Sequence, residues 1–247
     1  MRILVVNDDG IQAEGIKHLA RMACKLGEVW VVAPESQCSA MSQRITIRSE
    51  MVVRKVDFEV EGVKAYSLSG TPADCVKVAL LNLMPQKPDI VFSGINFGYN
   101  AGYDILYSGT VGAAYEALAN KVPAIAFSME STDNYEVVDK YIYPITQELL
   151  YKNASMDKVP LNQLWNVNFP GCSLEKCKGI LWDRVPANCQ YYADCYEETA
   201  IDEKAVRLMG GGIQVKDAPQ GSDIKALIDN YISIGIVKNA VIDDLIY

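Results

Sequence analysis

Two adjacent carboxylates, Asp8 and Asp9, end the first apolar run of the chain, MRILVVNDDG. Carboxylates placed this way hold divalent cations through oxygen or exchange protons with a substrate. Neighbouring residues of an extended strand point to opposite faces, so both reach one ion only where the backbone turns. Gly10 permits that turn. Asp and Gly are also ordinary turn formers, so a plain turn with a helix N-cap explains the same residues.

Other oxygen donors follow at intervals. Residues 35–44 form a polar loop carrying Ser36, Ser39 and Ser42. Residues 94–110, GINFGYNAGYDILYSGT, are rich in glycine and carry Asn96, Asn100 and Asp104. Long loops inside compact domains are usually functional. This one lacks both the G-x-G-x-x-G of dinucleotide sites and the G-K-[ST] of phosphate-cradling nucleotide loops. It ends in Ser108, Gly109 and Thr110 at the start of an alanine-rich helix, 111–120. Backbone N–H groups and hydroxyls there suit a phosphate, and Thr110 as a simple N-cap accounts for them equally. The single histidine, His18, falls on the polar face of its helix and is expected in solvent. With its one histidine expected in solvent, the chain is poorly suited to a His-based triad, and a single histidine cannot build a His-rich metal site.

These residues need a scaffold, and the hydrophobic pattern supplies one. Short apolar runs at 3–6, 29–33, 89–93, 124–128 and 164–169 read as buried strands. Helical periodicity covers 16–26 and 135–152, the latter kinked at Pro144. Thr71, Pro72 and Asp74 form a capping box that starts a helix running through Leu83. Alternation within 46–68 reads as antiparallel strands. Residues 180–214, with Gly210, Gly211 and Gly212, read as an extended hairpin, and Ser222 caps a last helix, 223–230, before a strand at 232–236. Strands alternating with helices make an α/β fold whose ligands bind at the carboxyl ends of the strands. The loops bearing Asp8 and Asp9, Ser39 and Asn96 then share one crevice. Their hard oxygen donors suit Mg²⁺, Mn²⁺ or Ca²⁺.

Composition narrows the field. The 247 residues carry 31 acidic and 23 basic side chains, a net charge of −8. That balance repels nucleic-acid polymers, yet a small phosphorylated ligand remains acceptable beside a bound cation. No apolar run approaches the ~20 residues of a membrane span. The N-terminus enters a strand directly, unlike a signal peptide. Seven cysteines without a C-x-x-C pair read as reduced thiols of a cytoplasmic protein.

Several blocks together resemble the SurE (survival protein E) family of 5′/3′-nucleotidases. They are NDDG at 7–10, AP followed by Ser39, SGTPADCV at 69–76, SGIN-x-G-x-N at 93–100, YSGTVGAA at 107–114 and NVNFP at 166–170. The resemblance implies a Rossmann-like, doubly wound, mostly parallel sheet with helices on both faces, a projecting β-hairpin and a C-terminal helix. Residues 1–130 would be the catalytic core. Residues 131–247 would complete the sheet and carry the hairpin, at about 180–215. It implies a phosphatase acting on nucleoside 5′- and 3′-monophosphates and on short polyphosphate. Asp8, Asp9, Ser39 and Asn96 would hold one Mg²⁺ or Mn²⁺ per subunit, with Ca²⁺ able to replace it in crystals. Asp8 and Asp9 would be catalytic, and Asn96, Asn100, Ser108, Gly109 and Thr110 would orient the phosphate. Exchange of hairpin and C-terminal helix would make a homodimer or tetramer. Ser36-Gln37-Cys38 stands where relatives often place a basic residue, so one contact to phosphate or nucleotide is lost or supplied elsewhere. The residues alone leave a rival, a non-catalytic nucleotide or metal sensor using the same crevice.

Overall fold

The computed structural model describes residues 1–155, 160–239 and 241. The first strand, β1 (Arg2–Val6), shows how the layers arise. Ile3 and Val5 face a core built with Ile16 and Leu19 of α1 (Glu14–Cys24) and Val138 and Ile142 of α4 (Glu136–Ala154). Leu4 and Val6 face the opposite core, with Val76 of α2 (Pro72–Val78) and Val111 and Ala114 of α3 (Gly109–Ala119). Period-two alternation thus serves both faces of one sheet with apolar side chains, and β1 is apolar throughout because both faces are covered.

Eight further strands complete the sheet. They are β2 (Glu28–Pro34), β3 (Val53–Val56), β4 (Lys64–Leu68), β5 (Ile90–Phe97), β6 (Ala124–Met129), β7 (Gln163–Phe169), β8 (Ile180–Arg184) and β11 (Ile232–Lys238). Their order is β3-β4-β2-β1-β5-β6-β7-β11-β8. The strands from β4 to β7 in that order run parallel, while β3 and β11 pair antiparallel to their neighbours β4 and β7. The chain winds from β1 toward β2 and β4, then returns to the other side of β1 with β5. The crevice between β1 and β5 is therefore the topological switch point, where open α/β sheets bind ligands.

Several expectations change in detail. The alternation in 46–68 does give an antiparallel pair, but β4 also joins the parallel sheet beside β2. The helix begun by the Thr71–Asp74 capping box ends in a π-helical turn, Ala79–Leu83. Strand β5 continues through Asn96 to Phe97, so the glycine-rich stretch leaves the sheet later than Gly94. Residues 180–184 belong to the sheet, and the projecting hairpin is β9 (Tyr192–Asp202) with β10 (Ala205–Gln214). The last helix, α5 (Asp223–Ile228), is capped by the Ser222 hydroxyl and packs on β11 and β8. His18 is half-buried rather than fully in solvent: its ring stacks on Tyr135 at 4.0 Å and its Nδ1 lies 2.7 Å from Asp139 Oδ1. The alanine-rich helix is capped by Ser108, whose hydroxyl accepts from Val111 N–H, and not by Thr110. Among the described residues no helix is long and apolar enough to cross a membrane.

Candidate active site

The loop after β1 closes on itself through Asn7, which donates to Gly10 O at 2.9 Å and accepts from Gly10 N–H at 3.2 Å. Asn7 supplies the turn, and Asp8 and Asp9 are left free of that duty. Nor do they cap α1, whose N-cap is Ala13 without a side-chain bond. The turn sends the two carboxylates in different directions.

Asp8 lies against α3. One of its oxygens accepts the Thr110 hydroxyl at 2.5 Å, and the Thr110 backbone N–H also reaches the carboxylate. Gly109 makes this approach feasible, because a Cβ there would stand 2.9 Å from both Asp8 Cβ and Oδ2. The Asp8 carbonyl accepts Cys38 N–H at 2.7 Å, which fastens the loop after β2 beside β1 and sets the exposed Ser39 next to it. Asp9 points to β5, where its Oδ2 accepts Phe97 N–H at 2.8 Å; its carboxylate also accepts from the Gln37 side chain. Gln37, at the departure from the family pattern, thus contacts a site carboxylate. Asn96 Nδ2 donates to Gly98 O at 2.8 Å, leaving Oδ1 without a protein partner among the described residues.

Asp8, Ser39, Asn96, Asn100 and Ser108 line one cavity of roughly 560 Å³, within the range of small-molecule sites. Asp9 borders it through its bond to Phe97, another lining residue. Gly109 and Thr110 stand behind Asp8, off the cavity wall. Asn100 is set by a buried polar lattice: its N–H donates to Asn168 Oδ1, its Nδ2 to Ser128, and its carbonyl accepts from Asn166 and Asn168. The remaining wall is aromatic and acidic, with Phe97, Tyr107, Tyr192, Tyr196, Asp104 and Asp194. Among the described residues no lysine, arginine or histidine lines it.

Burial decides the electrostatics. Asp8 is 3% exposed, and desolvation pushes its carboxyl up to about 7. The Thr110 bonds and the helix N-terminus favour the anion, but a helix terminus contributes only about 0.3–2 kcal/mol and does not win. Repulsion from Asp9 adds to the rise, and the Asp9 carboxyl is itself raised by burial. Neither aspartate has an ion-pair partner among the described residues. Two desolvated, mutually repelling carboxylates with no cation of their own are the environment a divalent ion relieves. Ser39 and Asn96 add the hard oxygen donors, and no cluster of three or more His, Cys, Asp or Glu suited to a metal occurs among the described residues. The donor set fits Mg²⁺ or Mn²⁺ and lacks the soft ligands zinc sites favour.

This has a consequence for the metal-free protein. A folded carboxyl near 7, against 3.8 unfolded, keeps a proton in the folded chain that the unfolded chain has lost. Stability then falls as pH rises from about 4 through about 7. In chelator, Asp8 is expected to make the protein melt at a lower temperature at about pH 8 than at about pH 6. Asp8→Asn should remove most of that difference; an equal difference in the variant would contradict the assigned burial.

The sequence match agrees with this geometry. The family model described as Survival protein SurE matches residues 3–191. The chain belongs to the SurE family. SurE relatives include a Clostridium botulinum (strain Kyoto / Type A2) protein named 5′-nucleotidase SurE, 41% identical over 95% of this chain and 91% of the relative. A Thermosipho africanus protein of the same name is 39% identical over 95% of this chain and 90% of its own length. The crystal structure of the SurE protein from Aquifex aeolicus superposes with a TM-score of 0.78 at 32% identity, covering 96% of this chain and 93% of that one. The SurE match reaches Tyr191 and so takes in Asp8, Asp9, Ser39, Asn96, Asn100, Ser108, Gly109 and Thr110. The hairpin wall lies beyond it. Sequence reasoning does not bring Tyr192, Asp194 and Tyr196 to this cavity, although their spacing of two in a strand places them on one face.

Proposed function

We propose that this SurE-family nucleotidase hydrolyses nucleoside 5′-monophosphates to nucleoside and phosphate, with one divalent cation per subunit. The observation that carries the reading is the buried Asp8 beside the half-buried Asp9 at the switch point of the sheet, neither with an ion-pair partner among the described residues. Asp8, Asp9, Ser39 and Asn96 would hold Mg²⁺ or Mn²⁺. When bound, the ion supplies several kcal/mol of charge stabilisation at the phosphoryl group, acidifies water and replaces the cationic side chains the cavity lacks.

The chain's own groups do the rest. Thr110 and Gly109 fix Asp8 by two hydrogen bonds and a close contact. Phe97 N–H and Gln37 fix Asp9. Asn96 and Ser108 reach the phosphate from the strand end and the start of α3, and Asn100 is rigid enough to orient it because four hydrogen bonds hold it. Water forms a new P–O bond as the ester P–O bond breaks, and the departing nucleoside oxygen takes up the proton that water gives up. His18 is committed to Tyr135 and Asp139, so proton transfer falls to Asp8, Asp9 or solvent. A 3′-monophosphate presents the same phosphoryl group and is a second substrate. Short polyphosphate fits less well, because Asp104 and Asp194 line the same cavity and no lysine, arginine or histidine among the described residues lines it.

The outer part of the hairpin exposes Ile201, Val206, Leu208 and Met209. An isolated two-stranded hairpin is marginal in water, which supports its use, with the C-terminal segment, between copies in a dimer or tetramer. Seven free cysteines support a reducing, cytoplasmic setting.

The test is phosphate release from AMP, GMP and their 3′ isomers, with each divalent cation and in chelator. Release that stops in EDTA and returns with Mg²⁺ or Mn²⁺ is expected. Binding of nucleotide without release would favour a sensor, and unchanged rates in chelator would remove the metal from the mechanism.

A further inference from the structure

Side chains alternate across a strand, so Tyr192, Asp194 and Tyr196 share one face of β9, and all three line the cavity of Asp8. Across the ladder, Asp194 pairs with Gly212 and Tyr196 with Gly210. The facing strand is therefore bare beside these side chains. A Cβ on Gly210 would lie 3.5 Å from the Tyr196 ring, and one on Gly212 would lie 3.2 Å from Tyr192 Cβ. Tyr196 is 67% exposed, an aromatic face open to the cavity. Tyr192, by contrast, is locked, its hydroxyl accepting Tyr99 N–H at 3.2 Å and bonding Ser131.

Asp194 is partly oriented. Its Oδ2 accepts Gln190 Nε2 at 3.2 Å, and its Oδ1 has no protein partner among the described residues. The hairpin base is held to the glycine-rich loop, since Asp104 Oδ2 accepts Tyr191 N–H at 2.7 Å and Tyr192 N–H at 3.2 Å. A bridge between Gly102 and Gln190 adds to that hold. The base of β9 is thus held against the glycine-rich loop, and its cavity face presents one exposed aromatic ring and one carboxylate.

We propose that this face is the nucleobase subsite, with Tyr196 the stacking platform and Asp194 the acceptor for the N–H edge of guanine or hypoxanthine. The proposal rests on the nucleotidase reading of the same cavity. Bases stack on aromatic side chains whatever their identity, so Tyr196 serves every nucleotide. A carboxylate only accepts. Guanine offers it N1–H and N2–H, and hypoxanthine offers N1–H. Adenine sets a lone pair at N1 beside its amine and meets the carboxylate with one donor and one repulsion.

The readout is kcat/KM for GMP, IMP, AMP and ribose 5-phosphate in the metal-loaded enzyme. The wild type should favour GMP over AMP by about tenfold or more. Asp194→Asn, whose amide also donates, should erase that ratio through KM. Tyr196→Ala should raise KM for the nucleotides about tenfold relative to ribose 5-phosphate, while Tyr196→Phe should retain the stacking. An Asp194→Asn loss equal for GMP, AMP and ribose 5-phosphate, or an unchanged GMP-to-AMP ratio, would overturn the subsite. Wild-type enzyme releasing phosphate from no nucleoside monophosphate would instead defeat the nucleotidase reading and the subsite with it.

Discussion

Asp8→Asn should lower phosphate release from a nucleoside monophosphate by at least about 10³-fold and leave the fold intact. The substitution keeps shape and volume, and an amide oxygen can still accept from Thr110. What it removes is the charge that, on the proposed reading, would hold the cation, and stabilisation of several kcal/mol at the phosphoryl group corresponds to three or more decades in rate. Because burial already disfavours the Asp8 anion, the metal-free variant should melt no lower than the wild type at about pH 8. Circular dichroism melts and a phosphate-release assay check both halves. Full turnover in this variant would contradict the role of Asp8, and a collapsed fold would contradict the energetic reading of its burial.

Gly109→Ala tests the same site from behind. The added methyl would stand 2.9 Å from Asp8 Cβ and Oδ2 and 3.2 Å from Cys38 O. Asp8 is tied to Thr110 and to the end of β1, so it must shift. Displacements on the scale of 1 Å at a reacting centre cost about 10²-fold in rate. We expect a kcat reduced by about that factor, a weaker affinity for Mn²⁺, and overpacking that costs about 1–3 kcal/mol of stability. Titration calorimetry with Mn²⁺ separates displacement of the ligand from a general loss of stability. Wild-type kcat with wild-type Mn²⁺ affinity would show that α3 does not position Asp8.

The Asp8 end of this cavity was readable because each part sits at a strand end, where apolar runs stop and polar residues begin. Asp8, Ser39 and Asn96 come from the loops or ends of β1, β2 and β5, adjacent in the sheet. Local pattern could place them at one edge. It could not decide between turn former and ligand for Asp8 and Asp9. In the structure Asn7 takes over the turn, and Thr110 and Phe97, 102 and 88 residues away from their partners, hold the two carboxylates, contacts that no local pattern reveals. The reach of β5 through Gly94 to Phe97 was hidden because glycine in an apolar run reads as a stop. His18 looked solvent-facing because helical periodicity sees only its own helix, not Tyr135 and Asp139 of the segment packed against it. The hairpin boundary was misplaced for a related reason. Residues 180–184 pair with β11, some fifty residues on, a long-range choice to which local alternation is blind.

The most direct measurement is a crystal structure of the protein with Mn²⁺, read by anomalous diffraction. A peak within about 2–2.6 Å of oxygens from Asp8 and Asp9, with Asn96 Oδ1 and the Ser39 hydroxyl completing the protein ligands directly or through water, is predicted. Loss of that peak in Asp8→Asn should accompany loss of phosphate release. A clear peak elsewhere, or none at saturating Mn²⁺ in crystals that still hydrolyse nucleoside monophosphate, would contradict a cation gripped at the β1–β5 switch point.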